Sequence, residues 1–279
     1  MRSSNPVFSR RGFSRDSGYA GFNAAPQAGG PVAAPGGNPY AGGNPYAQTT
    51  EPYAPPVGPP QAGRMTMDDV VMRTGMTLGT VVVGAAVAWI MQLPLGLAIG
   101  AALVAMVLAL VQSFKRKPSP ALILAYAAFE GLFLGALSGL INAKFEGAPM
   151  QAVLGTMAVF VGVLIAYKTR LIRVNRRFYR YVMGAAIGFL LLTAVNLLFA
   201  AFGGGDGLGF RSGGLGILFG VIGVILGACF LALDFKMVED GIAYGAPREE
   251  SWMAAFGLTM TLVWIYLELL RLISILRGD

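Results

Sequence analysis

The stretch Leu262-Val263-Trp264-Ile265-Tyr266-Leu267-Glu268-Leu269-Leu270 decides how this chain is read. Every residue in it but one is apolar or aromatic, and the exception is a carboxylate. It lies inside a longer apolar segment, roughly Ser251 to Leu276. At about 1.5 Å per residue such a segment is long enough to cross a hydrocarbon core of about 30 Å. A carboxylate at that depth costs ~2.5–3.5 kcal/mol on insertion scales, so it faces a bundle interior, takes a partner, and marks a pathway or a sensor. A second acid closes the preceding apolar stretch, where Asp234 follows Leu215 to Leu233.

Working outward, the same pattern repeats toward the N-terminus. Apolar segments run from about Gly75 to Met91, Leu95 to Phe114, Ala121 to Asn142, Pro149 to Tyr167, Tyr179 to Phe202, and Leu208 to Asp234, the last with an amphipathic extension to Tyr244. Of the 279 residues, 55% are hydrophobic and only 13% charged, against about 25% charged in soluble domains. These segments lack the polar face of a surface helix. The expectation is an all-α, polytopic bundle of about seven transmembrane helices, spanning 65–279. Residues 1–64 are a different material, rich in Gly, Pro, Ala and Tyr. They carry a tandem repeat, Gly36-Gly37-Asn38-Pro39-Tyr40-Ala41 and Gly42-Gly43-Asn44-Pro45-Tyr46-Ala47. That composition buries too little apolar surface to offset ordering entropy and predicts a disordered tail. The N-terminus lacks the apolar central region of a signal peptide.

The net charge of +7 sits in short connections, which argues against nucleic acid and for loops retained inside a membrane. Arg64 and Arg73, Lys115 to Lys117, Lys168 to Arg180, and Lys236 with Arg248 fall on one side. Lys144 and Arg211 fall on the other, with Arg277 at the C-terminus. A cell-membrane protein with a cytoplasmic N-terminus follows, and seven spans put the C-terminus outside. The chain has no histidine and one cysteine, Cys229, which reads as a packing residue. No disulfide, zinc cluster or cofactor is expected, and any pH response near neutrality falls to carboxylates.

Glycines at four-residue spacing allow close helix approach. Gly131, Gly135 and Gly139 line one face of the third segment, and Gly216, Gly220, Gly223 and Gly227 do so on the sixth. Glu130 precedes the first stripe and shares a face with Tyr126. Glu130, Asp234 and Glu268 are the candidate ion-path and pH-sensing residues. Each has a plainer reading. Glu130 suits an ion pair or a hydrogen bond to a neighbouring helix. Asp234 suits a membrane boundary, with Lys236, Glu239 and Asp240 in a solvated loop. Glu268 suits a local ion pair with Arg271, beside Trp264 and Tyr266 as interfacial belt residues. No enzyme signature is present: there is no histidine for a triad and no phosphate-binding glycine loop, and Gly203-Gly204-Gly205-Asp206-Gly207 reads as a flexible loop. The sequence contexts of an intramembrane aspartyl protease are missing, and so are the repeated halves of many small-solute transporters.

Taken in order, the seven segments, Glu130-Gly131-Leu132-Phe133-Leu134-Gly135-Ala136-Leu137-Ser138, the acid closing the sixth segment and Tyr266-Leu267-Glu268 in the last resemble the Bax inhibitor-1 family. The opening Met1-Arg2-Ser3-Ser4-Asn5-Pro6-Val7-Phe8 with its Gly/Pro/Tyr-rich tail is similar to the actinobacterial branch of that family. The resemblance covers roughly 65–279. It implies a last helix wrapped by the other six, and a pH-sensitive leak with calcium as the permeant ion, gated by an acid pair near the cytoplasmic side. In that family both acids are typically aspartates about two dozen residues apart. Asp234 matches the first position and Glu268 the second, with glutamate for aspartate and 34 residues between them. A straight hairpin turning near Ala246 sets Asp234 ~18 Å and Glu268 ~33 Å from the turn. Either the connection folds back or Glu268 takes another partner, for which Glu130 is the candidate. The rival expectation is a non-transporting membrane protein that regulates other membrane proteins or a membrane protease, using the tail as its handle.

Overall fold

The computed structural model describes residues 63–203 and 213–278. All but the last two residues of the expected disordered tail lie outside them, as do Arg211 and most of the glycine loop after Phe202. Among the described residues the chain forms seven helices: α1 (Met67–Ile90), α2 (Leu95–Phe114), α3 (Pro120–Lys144), α4 (Ala148–Lys168), α5 (Arg176–Gly203), α6 (Gly213–Ala243) and α7 (Glu250–Gly278). All seven are long and apolar enough to cross a membrane.

Helix α1 begins eight residues before the apolar segment that announced it. Thr66 caps it, its hydroxyl accepting from the amide of Asp69 at 3.2 Å, so the charged turn Asp68-Asp69 is drawn into the helix. Just upstream the backbone pairs with the α6–α7 connection: the Met65 amide donates to Ala246 O at 2.8 Å and the Arg248 amide to Gly63 O at 2.8 Å. The Arg248 guanidinium then holds Asp69, Nε to Oδ1 at 2.8 Å. Arg73 donates to Arg248 O and Ser251 Oγ and lies over the Trp252 ring. Basic residues that had read only as orientation signals thus tie the start of α1 to the start of α7. At the opposite end Arg277 donates to Glu146 O at 2.6 Å. The C-terminus therefore leaves the bundle at the end away from the start of α1.

Helix α7 is central and the most buried of the spans. Helices α1, α3, α4 and α6 pack against it directly, while α2 rests on α3 and α5 on α6. Helices α1, α3, α4 and α6 therefore lie closest to the last helix, while α2 and α5, in an outer layer, reach it through side chains. Phe160 and Tyr167 of α4 pack on Phe235 of α6, with ring centroids 5.7 and 5.8 Å apart. Phe189 of α5 reaches Trp264 at 5.6 Å.

Glycine decides how closely these helices approach. A Cβ on Gly131 would lie 2.3 Å from Val81 O, and one on Gly135 2.2 Å from Ala85 O. The α1 and α3 backbones are therefore in contact. On α6, Gly220, Gly223 and Gly227 receive Leu272, Glu268 and Ile265 of α7. Gly139 departs from the expected stripe, because nothing lies within 4 Å of a Cβ built there. Gly135→Ala is expected to lower stability by about 1–3 kcal/mol through backbone overpacking, and Gly139→Ala to leave it unchanged. Unfolding of the two variants in detergent micelles, followed by circular dichroism, checks the contrast.

Candidate functional site

The three candidate acids occupy two depths along α7. Asp234 lies on α6, half-buried, and accepts a hydrogen bond from the Thr261 hydroxyl at 2.6 Å. Its other oxygen lies 3.6 Å from the Cβ position of Gly257, so the carboxyl faces the α7 surface between residues 257 and 261. Asp234 takes part in no ion pair among the described residues. The polar run after it is not a solvated loop. Helix α6 continues to Ala243, with Lys236 paired to Asp240 at 2.8 Å and to Glu239 at 3.8 Å, and with Tyr167 donating to Glu239.

Glu130 is half-buried on α3, in a stripe of Ile123, Tyr126, Leu134 and Ser138 spaced three or four residues apart. The register of α3 on α7 is set on either side of it. Tyr126 meets Phe256 edge to face at 5.2 Å, and Ser138 Oγ lies 2.6 Å from Tyr266 Oη. Interpolating between those contacts brings Glu130 level with Thr259, the depth at which Asp234 meets α7 from the other flank. The Thr77 and Thr259 hydroxyls, both fully buried, lie 2.8 Å apart at this same level. One layer of the bundle therefore contains two carboxyls and three threonine hydroxyls arranged around the central helix. At this depth Met260 is 40% exposed, although α7 is otherwise the most buried span.

Glu268 belongs to a second level. It is only 7% exposed and is held by Arg271, Nη2 to Oε2 at 2.5 Å. Gly223 makes room for it, since a Cβ there would lie 2.9 Å from the carboxyl. The Nε and Nη1 of Arg271 are buried without a partner. Glu268 sits seven residues beyond Thr261 on α7, and Gly223 eleven residues before Asp234 on α6. The two acids are therefore ~10–16 Å apart along the helix axes. Among the described residues no hydrogen bond joins any two of the three acids. The structure brings Asp234 and Glu130 to one depth, with α7 between them, and assigns Glu268 to Arg271.

Two aromatic residues expected at a membrane interface are internal instead. The Trp264 indole donates to Gly223 O at 3.2 Å, and Tyr266 bonds Ser138. Sequence reasoning missed Thr77, Thr259 and Thr261. The available signal was their position as hydroxyl side chains inside apolar segments, where interhelical hydrogen bonds are made. It also missed Asp69, which the Thr66-x-x-Asp69 spacing marks as a cap.

The buried pair gives a direct test. Arg271→Met strands the Glu268 carboxylate and is expected to cost about 3 kcal/mol or more. Combining it with Glu268→Gln is expected to recover part of that loss. A double-mutant cycle by chemical unfolding in mixed micelles measures both, and strictly additive losses would contradict the pairing.

A family model described as Bax inhibitor 1 like matches residues 5–278, taking in most of the tail as well as all seven helices. No curated protein matches the chain.

Proposed function

Because the chain belongs to the Bax inhibitor-1-like family of membrane proteins, we propose that it is a pH-sensitive calcium leak gated by buried carboxylates. The observation that carries this reading is Asp234, an acid facing the central helix whose hydrogen-bond partner is a neutral threonine hydroxyl at 2.6 Å. Calcium takes oxygen ligands from carboxylates and neutral groups, and the layer of Asp234, Glu130 and three threonines offers both. A proton and a calcium ion compete for the same carboxyl oxygens. Protonation removes the charge that attracts the cation and turns Asp234 from an acceptor into a donor toward its neighbours, which changes how α6 packs on α7. The charged groups nearest Asp234 on its own helix, Lys236, Glu239 and Asp240, are occupied with one another, and α7 presents Thr261 and Gly257 to it.

This reading differs from the acid pair that the family resemblance implied. The residue facing Asp234 is Thr261, 27 positions on, close to the spacing at which the family has its second acid. Glu268 lies two helical turns farther and already has a cationic partner. Its role in the leak is to hold α6 against α7 below the gating layer, with Arg271 as its counter-ion.

Purified full-length protein in liposomes loaded with a calcium indicator is expected to admit calcium in a pH-dependent manner. Asp234→Asn is expected to remove that dependence, and Glu130→Gln to weaken it. Equal flux at every pH for the wild type, for Asp234→Asn with Glu130→Gln, and for Asp234→Asn with Glu268→Gln sinks the sensor. The second reading is a non-transporting partner that regulates other membrane proteins or a membrane protease, with the tail, which the family model covers from residue 5, as its handle. Absence of flux throughout, together with a crosslinked membrane partner lost on deleting residues 1–62, favours it.

A further inference from the structure

A separate feature lies at the end of the bundle where α1 and α7 begin. Between α1, α4, α6 and the connection after α4 is a cavity of about 950 Å³, near the upper end of the ~300–1,000 Å³ usual for small-molecule sites. Its floor is apolar, with Val70, Phe160, Leu164, Ile172 and Leu258 among the lining residues. Its α1 wall, Met67 and Val71, is 52% and 63% exposed and continues the lipid-facing surface of that helix. Its charged lining is predominantly basic, with Lys168, Arg170, Arg173 and Lys236 against one acid, Glu239. Lys236 is engaged with Asp240 and Glu239, whereas Lys168, Arg170 and Arg173 are exposed and belong to none of the ion pairs among the described residues.

The rim is built by an unusual turn. Helix α4 ends in a paired cap, with the Arg170 amide donating to Tyr167 O at 3.0 Å and the Leu171 amide to Ala166 O at 2.9 Å. The residue between the helix end and Leu171 in such a cap is left-handed and usually glycine. Here it is Arg170, at φ 59°. The turn folds Ile172 and Val174 back onto the cavity wall and leaves Arg170 and Arg173 at its mouth.

We propose that this cavity binds an anionic phospholipid of the adjoining leaflet, its phosphate on Arg170, Arg173 and Lys168 and the first part of an acyl chain against Val70, Leu164 and Leu258. Charge complementarity selects the headgroup, because three unpaired cations at the level of the interface attract an anionic lipid and guanidinium groups match phosphate oxygens. The exposed α1 wall gives the acyl chain a route in from the bilayer, which a soluble phosphate does not need.

Native mass spectrometry of the full-length protein with phosphatidylglycerol or phosphatidylcholine of identical chains tests this. The wild type is expected to prefer phosphatidylglycerol. Arg170→Gln with Arg173→Gln is expected to weaken that preference roughly 10- to 30-fold. Leu164→Trp, which fills the floor and leaves every charge in place, is expected to weaken phosphatidylglycerol binding as well. Lys115→Gln with Arg116→Gln and Lys117→Gln, on another loop, is expected to preserve the preference. An unchanged preference in the Arg170 and Arg173 variant overturns the proposal. So does an equal loss in the Lys115 to Lys117 variant, which indicates diffuse surface charge, and so does full competition by millimolar inorganic phosphate.

Discussion

The contact between Gly131 and Gly135 of α3 and the backbone at Val81 and Ala85 of α1 is the constraint on which the interior depends. In hydrocarbon, apolar side chains gain nothing by leaving lipid, so helices associate through close packing and interhelical hydrogen bonds. With no Cβ at either glycine, α1 and α3 lie together against α7. That places Thr77 of α1 within 2.8 Å of Thr259 and sets the register of α3, hence the depth of Glu130. On the other flank, Gly220, Gly223 and Gly227 do the same for α6 and so for Asp234. Two glycine stripes thus bring five oxygen-bearing side chains to one layer around a central helix.

That layer and the Glu268–Arg271 pair solve the same physical problem differently. Each has to keep a carboxyl inside a span that excludes water. Glu268 is stabilised by a neighbouring cation three residues along its own helix, in a space against α6 that Gly223 provides. Asp234 has only a hydroxyl, and Glu130 takes part in no ion pair among the described residues. A paired acid resists change, whereas an acid held by a neutral partner responds to protons and cations. The division of labour proposed for the three acids follows from their partners rather than from their burial alone.

The two ends of the bundle are also unlike. Where α1 and α7 begin, Asp69, Arg248 and Arg73 form a latch between the start of α1 and the α6–α7 connection, and the cavity beside it has a basic mouth. At the other end, Arg277 and Gly278 meet the α3–α4 connection at Glu146 and Phe145.

The sequence by itself determined the number of spans, their order and nearly all their boundaries. Runs of about 20 apolar residues can satisfy their backbone in lipid only as helices. The start of α1 escaped because its first turn is charged, and only the Thr66 cap shows that it is helical. The sequence also marked Glu130, Asp234 and Glu268 as costly residues that need an explanation, and it marked 34 residues as too wide a gap for a plain hairpin to close. Which acid meets a residue of another helix was a matter for tertiary structure. A helix turns 100° per residue, so a shift of one position in the register of α6 or α3 on α7 points a side chain at a different neighbour. On α6 that register is set by glycine contacts with a helix distant in the chain, and it is why Asp234 faces Thr261; the Glu268–Arg271 pair, three residues apart on one helix, was already readable in the sequence.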